Sequence, residues 1–167
     1  MTDGNEQGAG DSNSAAQIIA QNIAANGYAG DVSPQQAHEA LIQGAIIVDV
    51  RTQPEWNFVG VPAIEEAQLV FCQWQKFPLM DINTDFSKQA GSDVLRRSDQ
   101  PQPGDAPALY FLCRSGVRSR AAAIAMTLAG YPNCFNISGG FEGSPNEDGH
   151  RGLVNGWKAA HMPWRQG

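Results

Sequence analysis

The chain has 167 residues, a net charge of −6 at neutral pH and a sequence pI near 4.9. This length suits one ordinary domain with its own hydrophobic core and is too short for two domains of typical size. The acidic balance argues against a nucleic acid or an anionic membrane surface as a partner, because either one favours a basic protein face.

The N-terminal segment is predicted to be a disordered tail. Residues 1–14 are rich in Gly, Ser, Asn and acidic side chains and cannot bury enough apolar surface to offset the entropy of ordering. They also lack the basic start and apolar core of a signal peptide, and no stretch of the chain approaches the roughly 20 apolar residues of a membrane span. We therefore expect a cytoplasmic protein without a membrane partner, whose residues 15–167 form the domain.

Three elements are predicted before the first buried strand. Isoleucines at helical spacing predict an amphipathic helix over residues 14–25. Residues 28–32 have the pattern of a short edge strand. Ser33 is a candidate N-cap with proline at the next position, which predicts a second helix that stops at Gly44.

Apolar runs predict the strands of a central sheet, at residues 45–50, 67–71, 108–112 and 134–137. The first run is apolar up to Asp49, which is typical of a strand buried on both faces. Between residues 81 and 107 the sequence is polar, and prolines with a glycine at 101–104 predict a loop before the next strand.

Two further helices are predicted in the second half of the chain. Small apolar residues over 117–128 indicate a helix packed closely on the sheet and terminated by Gly130. A final helix is predicted from about Leu153 to Ala160. Alternating strands and helices imply an α/β fold with a mainly parallel central sheet flanked by helices on both faces. In such a fold the functional site lies at the carboxyl end of a strand.

One segment joins a strand, a thiol, an arginine-rich loop and a helix start. Cys113 directly follows the strand at 108–112, and the loop 114–118 leads into the next helix. Backbone N–H groups of such a loop can form an anion-binding concavity at the positive end of the helix. The helix dipole and the arginine charges favour a thiolate over a thiol. We therefore predict that Cys113 is a nucleophile and that its ligand is a small anion.

The sequence CRSGVRS after a buried strand resembles the active loop of the rhodanese-domain sulfurtransferases. Other segments resemble further motifs of that family and follow in the family's order. These are the strand ending in Asp49-Val50-Arg51, Pro54-Glu55-Trp56 with Gly60, Gly139-Gly140-Phe141, and Asn155-Gly156-Trp157 with Pro163-Trp164. Together they cover most of residues 28–167, so the resemblance implies a single rhodanese-like domain.

The resemblance also implies an enzyme, a thiosulfate sulfurtransferase of the rhodanese type. In this mechanism the Cys113 thiolate takes the outer sulfur of thiosulfate or a related anionic donor, becomes a persulfide, and passes the sulfur to cyanide, a thiol or a protein. No cofactor and no metal are implied, and we expect a monomer. The chain departs from the family at residues 60–63, where many members have Gly-His-Ile-Pro-Gly-Ala and no histidine is available here.

The loop residues are assigned different roles in binding the substrate. Arg114 is expected to meet the anionic end of the donor, because guanidinium is a planar fork suited to an oxyanion. Arg118 either binds substrate oxygens or pairs with a carboxylate to hold the loop. The remaining positions are expected to contribute mainly backbone N–H groups, with a positive φ at the glycine: Ser115, Gly116, Val117 and Ser119.

Four residues outside the loop are assigned structural roles. Asp49 ends an apolar strand, where an unpaired carboxylate is costly, so we expect it to bond Arg51 or a nearby loop. Cys72 and Cys134 lie in apolar segments and are predicted to be core residues rather than resolving thiols. Three cysteines without a C-x-x-C motif or a histidine at ligand spacing favour neither a disulfide framework nor a metal site.

Two alternatives to sulfur transfer remain open from the residues. A cysteine-dependent phosphatase or arsenate reductase also surrounds an anion with a cysteine and an arginine, but such phosphatases place five residues between the two. Here only residues 114–117 separate Cys113 from Arg118, which gives a smaller ring of N–H groups. The second alternative is a non-enzymatic rhodanese module that binds a partner protein, as some such domains do after losing the cysteine that this chain retains.

Overall fold

The computed structural model describes residues 14–167. The predicted disordered tail therefore lies outside the described residues, apart from Ser14. The helices and strands in chain order are α1 (Ala15–Asn26), β1 (Gly30–Val32), α2 (Pro34–Ala40), β2 (Ile46–Asp49), α3 (Gln53–Phe58), β3 (Val61–Pro62), β4 (Leu69–Phe71), β5 (Gln75–Lys76), β6 (Asp81–Ile82), α4 (Phe86–Ser98), β7 (Leu109–Leu112), α5 (Val117–Leu128), β8 (Cys134–Ile137) and β9 (Trp164–Arg165). Among residues 14–167, no helix has both the length and the apolar character needed to cross a membrane.

The central sheet has five strands in the order β1-β8-β7-β2-β4, and every neighbouring pair is parallel. The prediction of a mainly parallel sheet is therefore confirmed, and β1 lies at its edge as expected. Asp49 is the register partner of Leu112, so the carboxyl ends of β2 and β7 lie side by side. Cys113 follows Leu112 and thus emerges at the edge of the sheet where ligands bind in open α/β folds.

Helices or ordered segments cover both faces of the sheet. Along β7, Leu109 and Phe111 pack with α4 and α5 on one face, whereas Tyr110 and Leu112 pack on the other. This second core also contains α2 and the C-terminal segment around Trp157. The alternation follows from the two-residue period of a strand, and it explains why the strand is apolar at every position.

The predicted N-cap at Ser33 is confirmed, and Ser14 caps α1 in the same way. Ser14 and Ser33 each accept a hydrogen bond from the backbone N–H three residues later, and a glutamine there bonds back to the serine N–H. Both pairs form capping boxes. The helix α5 spans the predicted residues 117–128.

The structure contains one long helix that the sequence interpretation did not identify. Helix α4 occupies Phe86–Ser98, within the stretch described above only as polar. Phe86, Ala90 and Val94 are spaced four residues apart, and all three are buried in the core. These three residues, with the partly buried Leu95 packed against the same core, form the apolar face that anchors α4.

The predicted final helix from Leu153 to Ala160 is wrong. Residues 153–156 form bends and residues 157–160 a turn instead, because Gly156, within the predicted helix, has a φ of +93°, outside the helical region. A Cβ on Gly156 would lie 2.8 Å from the carbonyl oxygen of Gly140, so the segment packs directly against the turn that follows β8.

Candidate active site

Cys113 lies at a cavity of about 680 Å³ at the carboxyl edge of the sheet. Its side chain is 1% exposed, and the backbone N–H of Gly116 donates a hydrogen bond of 3.0 Å to its sulfur. Gly116 has a φ of +111°, which agrees with the expectation that this loop position requires a glycine. Helix α5 begins at Val117, so its positive end lies at the loop.

A turn after β8 holds the backbone of the cysteine loop. The N–H of Phe141 donates to the carbonyl of Cys113 at 2.7 Å, and the N–H groups of Glu142 and Gly143 both donate to the carbonyl of Arg114 at 3.0 Å. These bonds require a very close approach between the two segments. Gly140 permits this approach because it has no side chain. A Cβ at this position would lie 2.4 Å from the Cys113 carbonyl oxygen.

The hydroxyl of Ser119 contacts the cysteine sulfur. Its Oγ lies 3.1 Å from Cys113 Sγ, and both side chains are buried. The sequence predicted a mainly backbone role for Ser119, because spacing alone does not show which face of the first turn of α5 its side chain occupies. The contact makes the Ser119 hydroxyl a direct neighbour of the Cys113 sulfur.

Arg118 forms an ion pair with a carboxylate, which is the second of the two roles left open by the sequence. Its Nη1 and Nη2 donate to the carboxylate oxygens of Glu55 at 2.9 and 2.7 Å. Burial by itself raises the pKa of Glu55, but hydrogen bonds from Arg118 and from the Thr52 backbone outweigh it and lower the pKa to about 2. Glu55 belongs to the Pro54-Glu55-Trp56 segment that resembles a family motif, and this motif is the sequence signal for a role of its carboxylate.

Arg114 is exposed and lines the cavity together with Ser115 and Val117. Within residues 14–167, no carboxylate forms an ion pair with Arg114. The structure therefore leaves its guanidinium available at the cavity, whereas that of Arg118 is already bonded.

A buried ion pair lies beneath the site. Arg51 donates to both carboxylate oxygens of Asp49, at 2.9 and 2.6 Å, and also to the carbonyl of Gly60 at 2.8 Å. Both side chains have no exposed surface. The guanidinium lies 4.1 Å from the centre of the Phe141 ring, so the pair connects the end of β2 to the turn that holds the loop.

The long connection between residues 70 and 107 supplies part of the cavity wall. Strands β5 and β6 form an antiparallel hairpin, and Gln75, Phe77 and Met80 from it line the same cavity as the cysteine loop. Phe77 remains 55% exposed, so the mouth of the cavity has an apolar rim.

The other two cysteines lie in the core, and all three are free thiols. Burial raises the pKa of Cys72 to about 11, with a further contribution from the negative charge of Asp93. Burial likewise raises the pKa of Cys134 to about 12. In the part of the chain that the structure describes, no group of three His, Cys, Asp or Glu side chains is placed to hold a metal ion.

Comparison with known proteins gives consistent results. A family model for the rhodanese-like domain matches residues 33–144. The solved structure of Rv0390 from M. tuberculosis is 40% identical with a TM-score of 0.68, and the match covers 84% of this chain and 99% of that one. The uncharacterised protein RC0915 of Rickettsia conorii is 38% identical over 138 residues, which is 81% of this chain and 96% of that protein. The thiosulfate sulfurtransferase GlpE of Haemophilus influenzae is 29% identical over 114 residues, 68% of this chain and 85% of that enzyme. The chain therefore belongs to the rhodanese-like domain family.

Proposed function

We propose that this protein is a sulfurtransferase that moves a sulfane sulfur from thiosulfate or a related anionic donor to a thiophilic acceptor through a persulfide on Cys113. The observation that carries the proposal is the position of the Cys113 sulfur. It lies at a cavity, accepts a hydrogen bond from Gly116, and has on the same cavity wall the guanidinium of Arg114, which forms no ion pair with a carboxylate of residues 14–167. A nucleophile beside an anion-binding group is what attack on an anionic donor requires.

The first half of the reaction transfers one sulfur atom without any change in overall oxidation state. The Cys113 thiolate attacks the outer sulfur of thiosulfate, and a new S–S bond forms. The bond between the two sulfur atoms of thiosulfate breaks, and its electron pair leaves with sulfite. The enzyme then carries an anionic persulfide on Cys113, and no proton has moved.

The second half returns the enzyme to its starting state. An acceptor nucleophile, either cyanide, a thiolate or a protein cysteine, attacks the outer sulfur of the persulfide. The S–S bond to Cys113 breaks, and its electron pair restores the thiolate. Attack and departure both involve anions, so neither half requires a general base.

The surrounding residues have separate roles in this scheme. Arg114 binds the sulfonate oxygens of the donor, because its fork can donate two parallel hydrogen bonds. The Gly116 N–H stabilises negative charge on the inner sulfur, together with the other loop N–H groups of Ser115, Val117 and Ser119. Arg118 holds the loop through its ion pair with Glu55.

The relatives support this class of reaction. GlpE is a thiosulfate sulfurtransferase by name, and its similarity extends over 68% of this chain. Three free cysteines suit a reducing compartment, so we place the reaction in the cytoplasm, carried out by a monomer with a thiol or protein acceptor. A phosphatase or arsenate reductase is less well supported, because only four residues separate Cys113 from Arg118 and the guanidinium of Arg118 is bonded to Glu55.

The test is the intact mass of the protein after treatment with thiosulfate, measured before and after addition of cyanide. We expect wild type to gain one sulfur atom and to lose it to cyanide, whereas Cys113→Ser gains none. Cys72→Ser is the matched control and should gain the sulfur as wild type does. A wild type without the adduct, or a Cys113→Ser variant that still carries it, would overturn the proposal. Cys113-dependent release of phosphate from an aryl phosphate would favour the phosphatase alternative.

A further inference from the structure

A chain of hydrogen bonds leads from the cysteine sulfur to the edge of the sheet. Ser119 Oγ lies 3.1 Å from Cys113 Sγ and 2.6 Å from Asn136 Oδ1, and Asn136 Nδ2 lies 2.8 Å from a carboxylate oxygen of Asp31. The first three side chains are buried. Asp31 and Asn136 are register partners on the neighbouring strands β1 and β8, which explains why their side chains meet.

The chemistry of these groups fixes the direction of each bond. A carboxylate only accepts hydrogen bonds, so the amide nitrogen of Asn136 faces Asp31 and its carbonyl oxygen faces Ser119. The amide oxygen also only accepts, so the single hydroxyl proton of Ser119 points to Asn136. At 2.6 Å this is a short hydrogen bond between a hydroxyl and an oxygen. The serine oxygen therefore presents a lone pair, and not a proton, to Cys113.

This arrangement favours the protonated form of the cysteine. A thiol can donate its proton to the lone pair of Ser119, whereas a thiolate at the same place gains no hydrogen bond from it. The Gly116 N–H and the start of α5 act in the opposite direction, since both favour negative charge on the sulfur. The hydrogen-bond chain from Asp31 therefore opposes the ionisation of the Cys113 thiol, which the loop N–H group and the helix start favour.

We propose that Asp31 and Asn136 are positioning residues that direct the Ser119 hydroxyl away from Cys113 and thereby restrain the formation of the thiolate. Asp31 acts by fixing the orientation of the Asn136 amide, and Asn136 acts by accepting the Ser119 proton. The proposal concerns the nucleophilicity of Cys113 and holds whatever group the cysteine transfers.

Asp31 has other contacts that bear on its replacement. Its side chain is 40% exposed, its carboxylate accepts a hydrogen bond from the Tyr28 hydroxyl at 3.0 Å, and Arg120 lies 3.5 Å away. In Asp31→Asn the new amide can donate as well as accept, so it no longer dictates the orientation of Asn136. A cavity of about 280 Å³ borders Asn136 and gives its amide room to turn. Ser119 is then free to donate its proton to the sulfur.

The experiment measures the rate of Cys113 alkylation by iodoacetamide, followed by intact mass. Near pH 6, where a free cysteine is mostly protonated, we expect Asp31→Asn to react roughly tenfold faster than wild type, the effect of one added hydrogen bond to a charged group. The ratio of the two rates should fall toward one as the pH rises through the range in which free cysteines ionise.

Two variants separate this effect from the simple removal of a negative charge. Asn136→Leu removes the acceptor for the Ser119 proton without changing the charge, and it should also accelerate alkylation. In a Ser119→Ala background the Asp31→Asn effect should disappear, because the hydroxyl through which it acts is absent. Asp148→Asn, on an exposed turn, is the charge-matched control and should leave the rate unchanged.

Two results would overturn the proposal. One is an alkylation rate of Cys113 that is unchanged or lowered in Asp31→Asn. The other is an acceleration by Asp31→Asn that persists in the Ser119→Ala background. If Asn136→Leu lost its cooperative urea unfolding transition, the Asp31→Asn and Ser119→Ala cycle would still decide, since it leaves Asn136 in place.

Discussion

Arg118 and Glu55 join the cysteine loop to a helix 63 residues earlier in the chain. Glu55 has a second role, because one of its oxygens also accepts the N–H and the hydroxyl of Thr52 at 2.9 and 2.8 Å and so caps α3. One carboxylate thus holds both the start of α3 and the first turn of α5.

Glu55→Gln should destabilise the protein at neutral pH by at most about 3 kcal/mol, because the lowered pKa of the carboxyl measures its preference for the charged state. A carboxyl whose pKa is lowered on folding stabilises the folded state above its ordinary value of 4.5, and this stabilisation is lost as the pH falls toward about 2. Urea unfolding from neutral pH to about pH 2 should therefore show the difference between wild type and variant shrinking. A difference that stayed constant with pH would contradict this account.

Asp49→Asn should lower the free energy of unfolding considerably more than the replacement of a surface carboxylate does. It leaves the guanidinium of Arg51 buried without a counter-charge, and breaking such a pair typically costs about 3–5 kcal/mol. Asp93→Asn is the matched control, since Asp93 pairs with Arg96 and Arg97 at the surface and should lose about 1 kcal/mol or less. Unfolding in urea measures the free energy of unfolding of both variants. If the two variants lost equal amounts, burial of the Asp49–Arg51 pair would add nothing to its contribution to stability.

Gly140→Ala should abolish sulfur loading of Cys113, although Gly140 itself has no side chain that could contact the substrate. Its φ is +61°, and a Cβ would lie 2.4 Å from the Cys113 carbonyl oxygen, so the loop or the turn must shift. Gly104→Ala is the control, because nothing lies within 4 Å of its Cβ position and its φ is not positive. Sulfur loading of both variants by intact mass tests this, and normal loading of Gly140→Ala would show that the loop tolerates displacement.

Arg114→Lys should raise the KM for the donor while leaving kcat nearly unchanged. Lysine keeps the charge but loses the fork that donates two parallel hydrogen bonds to an oxyanion, so we expect a rise of roughly threefold to tenfold. Arg96→Lys, with a side chain 70% exposed on α4, serves as the control. Steady-state kinetics with thiosulfate as the donor measure this change in KM. An unchanged KM in Arg114→Lys would mean that the donor does not contact residue 114.

Iodoacetamide at neutral pH should modify Cys113 only. The pKa values of Cys72 and Cys134, raised to about 11 and 12, keep both thiols protonated and unreactive. The intact mass should show one adduct in wild type and none in Cys113→Ser. A second adduct on the folded protein would show that one of the core thiols is reachable.

The sequence interpretation succeeded where local pattern decides the structure. Strand β2, which is apolar up to Asp49, the Ser33 N-cap and the small-residue helix α5 are each indicated by a pattern within a dozen residues. Helix α4 was not predicted because its four apolar side chains, Phe86, Ala90, Val94 and Leu95, lie within an otherwise polar stretch. The predicted helix at 153–160 is wrong because the sequence pattern does not show that Gly156 adopts a positive φ.

The site was predictable only as far as its motif extends along the chain. Cys113 and its loop form one continuous segment, so their chemistry could be assigned from neighbouring residues. The partner of Arg118 lies 63 residues away and the carboxylate behind Ser119 lies on an edge strand, and both contacts depend on the order of the strands in the sheet. The rotamer of Ser119 likewise follows from packing and not from spacing.

The turn after β8 also decides which side of the cysteine loop is electropositive. In a trans peptide a carbonyl and the N–H that follows it point in opposite directions. Because the turn binds the carbonyls of Cys113 and Arg114, the N–H groups of Arg114 and Ser115 are turned away from it. The polarity of the loop is thus imposed by main-chain bonds from a distant segment, and it should survive the exchange of any loop side chain that leaves the peptide planes in place.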